Sequence, residues 1–121
     1  MPIKLPPCPS KDNCVCSQDP RKKYYIEPLA FEQPTAKACI EAVAALCVKS
    51  FPRCKITLKE ENQLHVTFTS GLLRFVDDLQ VAADDGTKLL HIRSASRIGY
   101  SDLGVNRKRV EKIRQLYSQT Q

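Results

Sequence analysis

The sequence predicts an α+β domain: a four- to five-stranded antiparallel sheet, two helices packed on one of its faces, and an extended proline-rich arm in front. Three patterns carry that expectation. An apolar stripe at helical spacing runs from about Thr35 to Phe51, four segments of period-two alternation follow it, and a second helical stripe closes the chain. Two amphipathic helices and one apolar sheet face are most simply satisfied by packing both helices on the same side.

Residues 1–34 hold seven of the eight prolines, so this arm should be extended and turn-rich rather than helical. Tyr24-Tyr25-Ile26 is its one β-prone piece, suited to an edge strand or a strap. The body is expected over 35–121. In its first helix Ile40, Val43, Ala44, Cys47, Val48 and Phe51 share one face, with Pro34 suited to the start and Pro52 ending it. Cys39 and Cys47 read as packing residues, because a free cysteine behaves as a small hydrophobe. Ile56 and Leu58, then Leu64, Val66 and Phe68, alternate with polar residues. Phe75, Leu79 and Val81 share a face of a third strand, and Leu90 and Ile92 of a fourth. Glu61-Asn62 and Asp85-Gly86 supply hairpin turns, the second with the signature of a two-residue type I′ turn.

The period of two has a consequence for charge. Asp77 falls on the apolar face, where an unpaired carboxylate is expensive. It is expected to pair with a cation such as Arg93 or Arg97, unless a bulge after Gly71 shifts the register. The opposite face gathers His65, Thr67, Asp78, Gln80, His91 and Arg93, usually no more than the wet side of a sheet.

The final quarter holds the least ordinary chemistry. Asn106 is a suitable N-cap, with Val105 and Val110 placed as a hydrophobic staple. Arg107, Lys108 and Arg109 follow it, where the helix dipole disfavours cations by about 0.3–1 kcal/mol each. An anion held by the free N–H groups and those cations would explain the arrangement; a solvated basic face with ion pairs to loops is the plainer alternative.

Composition bounds the function classes. The chain is 121 residues, 42% hydrophobic, with a formal charge of +6, which fits one globular domain drawn to acidic partners. No stretch approaches the length of a membrane span, and the N-terminus shows no apolar export segment, so a cytoplasmic place is favoured. Six cysteines without such a segment lean toward a reducing compartment.

CPSKDNCVCSQ near the start, LRFVDD in the middle and RSASRIGYSDLGVNRKRVEKIR near the end closely resemble the family catalogued as domain of unknown function 1499. The likeness spans nearly the whole chain. The family occurs in bacteria and plastid-bearing eukaryotes, many members look exported or lumenal, and it has no established activity. The resemblance therefore implies a shared fold and site rather than a reaction, and it allows a periplasmic or plastid-lumenal place. Cys16 stands where the family's pattern usually has serine.

Cys8-x5-Cys14-x-Cys16 lacks zinc spacing and a second half, so a metal is a weak reading. A Cys8–Cys14 disulfide and a reduced, turn-forming motif both remain open. Gly99-Tyr100-Ser101-Asp102-Leu103-Gly104 is one residue too long for a nucleophile elbow. No aromatic-studded strand accompanies the basic helix, which disfavours nucleic acid. What remains is a binding module, with no cofactor implied. Arg93, Ser94, Ser96, Arg97, Ser101, Asn106, Arg107 and Arg109 would gather around one turn to hold a small anionic ligand or an acidic protein partner. The runner-up is an enzyme using Asp77 or Asp78 with His91 and the arginines, and a thiol or metal role of Cys8, Cys14 and Cys16 is the third reading. Cys8, Cys14, Asp77 and Asn106 also have structural roles open to them.

Overall fold

A computed structural model of the chain describes residues 3–120. Met1 and Pro2 of the expected arm and Gln121 of the expected body lie outside the described residues. The elements run β1 (Cys14–Cys16), β2 (Leu29–Ala30), α1 (Ala36–Ser50), β3 (Cys54–Lys59), β4 (Gln63–Thr69), β5 (Val76–Asp84), β6 (Leu89–Ser96) and α2 (Val105–Ser118). The architecture is the expected α+β fold, with six strands where four to five were anticipated. The sheet runs β1-β6-β5-β4-β3, all antiparallel, and β2 pairs with β6 beyond β1.

The two added strands come from the arm. Val15 pairs with Ser94 and Leu29 with Leu90, so the arm covers the β6 edge at two points. Tyr24-Tyr25-Ile26 forms no strand; Tyr25 makes a single parallel bridge to Cys16. Asp19 fastens the arm to itself. Its buried carboxylate accepts from Cys8 N–H at 3.1 Å and from the Arg21 guanidinium at 2.7 Å, and that hydrogen bonding holds its pKa below the usual range. Leu5, Cys8, Cys14, Cys16 and Tyr24 pack on Ala82 and Ala95, which puts a thin apolar layer over part of the outer sheet face.

Both helices pack on the other face. Ile40, Val43 and Cys47 of α1 and Val110, Ile113 and Tyr117 of α2 meet Leu64, Val66, Leu79, Val81, Leu90 and Ile92. Thr35 caps α1 by accepting from Ala38 N–H at 3.1 Å, and Asp85 from the β5–β6 hairpin accepts from Ala36 N–H at 2.7 Å. Phe51 ends the helix in extended conformation ahead of Pro52 and meets Phe68 edge-on at 5.2 Å. Val48, expected in the buried stripe, is 60% exposed, while Cys47 beside it is fully buried.

Two turns differ from expectation. The β5–β6 connection spans the four residues between Asp84 and Leu89 and is no type I′ turn: Lys88 takes the left-handed conformation (φ 58) while Asp84 accepts from Gly86 N–H and the Thr87 hydroxyl. Helix α2 begins at Val105, so Asn106 lies inside it and is no N-cap. Val105 is 44% exposed and forms no buried staple with Val110.

Candidate functional site

At the end of the sheet where β5 begins and β6 finishes, the helix-facing side turns from apolar to polar. Phe68, Asp77 and Ser96 stand in one cross-strand row there, with Leu79 and Ser94 in the next but one. Asp77 is buried, as its place in the alternation requires, and its partner is Arg109 of α2 at 2.9 Å. Neither expected partner reaches it. Arg97 forms a two-pronged pair with Asp78 at 2.8 and 3.0 Å, and Arg93 lies on the opposite face, donating to Pro7 O at 3.3 Å. The Arg109 guanidinium also covers the Phe68 ring at 4.6 Å, so its flat apolar surface is used along with its charge.

Asn106 ties this corner together. Fully buried, it accepts from the Ser94 hydroxyl at 2.6 Å and from Arg109 Nη1 at 2.9 Å. Its Nδ2 donates to Asp102 at 2.7 Å and Ser96 at 3.0 Å, with a longer contact to Asn13 O. The cap that Asn106 does not supply comes from Asp102, whose carboxylate accepts from Gly104 N–H at 2.8 Å and Asn106 N–H at 3.1 Å. A negative charge at that end suits the helix dipole.

Above this floor lies a cleft of about 460 Å³. One wall is Phe51, Pro52 and Arg53, with Phe68 to Ser70 behind; Phe75 and Val76 form the second side, and Ile98, Leu103 and Val105 the third. Asp77, Ser96 and Arg109 close the bottom. Its volume falls within the usual range of small-molecule sites, and most of its lining surface is apolar although polar and apolar side chains contribute in equal number. Arg53 donates to Thr69 O at 2.9 Å and is in no ion pair among the described residues.

Of the residues singled out from sequence, Asp77, Ser96, Ser101 and Arg109 line this cleft, and Asn106 and Ser94 sit behind it. The arginines diverge. Arg107 points to the arm, donating to Tyr25 O at 3.0 Å and Lys23 O at 3.1 Å beside a second recess of about 210 Å³. That recess is lined by Asp12 and Lys23, which pair with each other. Phe51, Arg53 and Phe68 were not singled out. Phe75 was placed on the buried face of a strand, yet β5 starts one residue later and leaves Phe75 on the cleft rim.

The other chemistries find less support in the geometry. Asp78 pairs with Ala95 and His91 with Ala82, four residues apart along β5, which separates them by about 13 Å. Asp77 faces the other side. His91 Nδ1 is 3.0 Å from the Ser17 hydroxyl, and burial lowers its pKa. Cys8 and Cys14 form a disulfide, the first of the two readings left open for that motif. Burial raises the Cys16 thiol, and Cys47 is pushed to about 12, which makes both poor nucleophiles. Among the described residues no group of three metal-ligating side chains occurs, and no helix is long and apolar enough to cross a membrane.

A family model described as protein of unknown function (DUF1499) matches residues 4–116 of the 121-residue chain. No curated protein and no solved structure matches it.

Proposed function

The chain belongs to that family, and from this premise we propose that it is a binding module whose cleft takes a small amphiphile, an apolar chain ending in an anionic head. One observation carries the reading: an apolar cleft with a satisfied ion pair at its base and the uncommitted charge of Arg53 in its wall. The chain of the ligand would lie against Phe51, Phe68, Phe75 and Val105, and the head would meet Arg53. Each buried methylene contributes about 0.8 kcal/mol, so six would supply roughly 5 kcal/mol before the cost of association. The guanidinium adds a fork suited to carboxylate or phosphate. The Cys8–Cys14 bond supports an oxidising compartment over the cytoplasmic one expected from the N-terminus.

The test is calorimetric titration with decyl phosphate, decanoate, decanol and inorganic phosphate, each kept monomeric. The expected order is decyl phosphate and decanoate tighter than decanol, with phosphate weakest. Arg53→Ala should erase the preference for the charged heads, and Phe75→Ala should weaken all three chain-bearing ligands. Phosphate binding as tightly as decyl phosphate would replace this reading with a simple anion site, and silence from all four would end it.

A further inference from the structure

The cleft opens between two loops whose tips are unusually apolar. Of the nine large apolar side chains left exposed among the described residues, only Tyr25 and Val48 lie outside the 72–75 and 98–105 segments. Leu72 and Leu103 are 91% and 86% exposed, about as far into solvent as a side chain can be. Single exposed leucines are unremarkable, but this clustering at one end of the molecule calls for a partner. Both tips are held out by left-handed backbone at non-glycine residues, Arg74 (φ 59) and Leu103 (φ 55).

The charge around these tips is one-sided. Asp77 and Asp78 are neutralised by Arg109 and Arg97, and the Asp102 carboxylate is turned toward the amides of α2, so two cations outside ion pairs face one carboxylate. Arg53 packs against Gly71 of the first loop, and Arg74 lies on its tip; neither is in an ion pair among the described residues. Apolar tips flanked by two guanidinium groups outside any ion pair complement a surface that is oily below and negatively charged at its head groups. Tyr100, 63% exposed in the second loop, is the residue type that settles at such a boundary.

We propose that these two loops dock the protein onto an anionic lipid bilayer, with Leu72, Leu73 and Leu103 entering the acyl boundary and Arg53 and Arg74 meeting phosphate head groups. Docked this way, the mouth of the cleft faces the lipid. Resting on the amphiphile reading above, the inference then narrows the ligand to a lipid taken tail-first from the bilayer. The docking surface itself does not depend on that reading.

Flotation of the full chain with vesicles tests it. Vesicles of phosphatidylglycerol mixed with phosphatidylcholine should carry the protein, and vesicles of phosphatidylcholine alone should not. The double variant Leu72→Glu, Leu73→Glu should fall to background, and Arg74→Glu, a change of two charges, should lose about thirtyfold in partitioning. These side chains lie outside the cleft wall, so both variants should keep wild-type circular dichroism and wild-type decyl phosphate titrations. Absence of the protein from the mixed vesicles overturns the docking surface, even where decyl phosphate still binds and the cleft reading survives. Leucine variants that float like wild type also overturn it, because adsorption would then be charge alone. A dimer in sedimentation velocity that Leu72→Glu dissolves, with no flotation, would assign the tips to a second copy instead. Flotation with no decyl phosphate binding retains the docking surface and removes the cleft ligand.

Discussion

Replacing Asn106 with alanine should cost about 3–5 kcal/mol of folding stability, much more than loss of a helix cap would. The wild-type amide is fully buried and answers Ser94, Ser96, Asp102 and Arg109 at once. Alanine leaves the Ser94 hydroxyl without its acceptor, one side of the Asp102 carboxylate bare, and one Arg109 donor idle. Each such buried orphan costs about 1–3 kcal/mol. Asp102 keeps its two backbone donors and Arg109 keeps Asp77, so the sum belongs nearer the low end for those two. For a domain of this size the loss corresponds to a melting temperature lower by roughly 10–25 °C. Asn106→Asp sharpens the test, because its shape is nearly unchanged while a second carboxylate is set against Asp102. Two such groups raise the pKa of the pair above the unfolded value of about 3.9, so the folded form binds more protons and the variant loses stability as pH rises through that range. Urea unfolding of the three proteins, followed by circular dichroism across acid to neutral pH, reads both effects. An alanine variant within about 1 kcal/mol of wild type, or an aspartate variant with the wild-type pH profile, would refute the network.

The double variant Cys8→Ser, Cys14→Ser should lose about 2 kcal/mol from the short closed loop, and hydrogen exchange should quicken in the arm well before β4 and β5, because the disulfide joins only arm residues. His91 gives a pH effect of the opposite sense to that of the Asn106→Asp variant. Burial sets its folded pKa below the ordinary 6.5, so the unfolded chain binds more protons in the window beneath that value. Stability should therefore fall as pH drops through the window, and His91→Gln should flatten this part of the wild-type curve in urea titrations.

What was legible in the sequence is what local spacing controls. The period of two placed Leu64, Val66, Leu79, Val81, Leu90 and Ile92 on one face, and the helical stripe placed Ile40, Val43 and Cys47 against them. The same period put Asp77 inside, so its need for a cation was readable, but the identity of that cation was not. Asp77 and Arg109 are brought together by the docking of α2 on the sheet, which no spacing rule encodes. β1 and β2 escaped notice because three and two residues are too short for any periodicity. Asn106 misled for a chemical reason: the amide that suits an N-cap also suits a buried hub, and Asp102, four residues earlier, took the cap. The cleft rim was hidden because apolar residues in turns, such as Leu72 and Ile98, resemble strand ends in a linear pattern.

The cations in the first turn of α2 can be understood together with the arm. Arg107 donates to the carbonyls of Lys23 and Tyr25, and Arg114, two turns on, donates to those of Glu27 and Pro28 at 2.6 and 3.2 Å. Those carbonyls belong to a segment too irregular to satisfy them in a ladder, and near the surface the arginines replace water as their donors. Charged donors make stronger hydrogen bonds than neutral ones, which offsets the unfavourable placement of Arg107 near the helix N-terminus. Arg109 serves the opposite side of the same turn, where it neutralises Asp77 under the cleft. Three consecutive cations that look alike in sequence thus divide their work: one straps the arm to the helix, one sets the floor of the cleft, and Lys108 between them remains exposed. The arm in turn covers the β6 edge and reaches the loop that forms the cleft's rim, through Asp12 N–H to Tyr100 O at 2.8 Å and Asp102 N–H to Asp12 O at 3.0 Å. Strap, helix and rim are therefore one connected unit. Loosening the arm should disturb the cleft and the margin of the apolar core that Val15, Ile26, Leu29 and Phe31 supply, while the centre of that core, held between the two helices and β4, β5 and β6, persists.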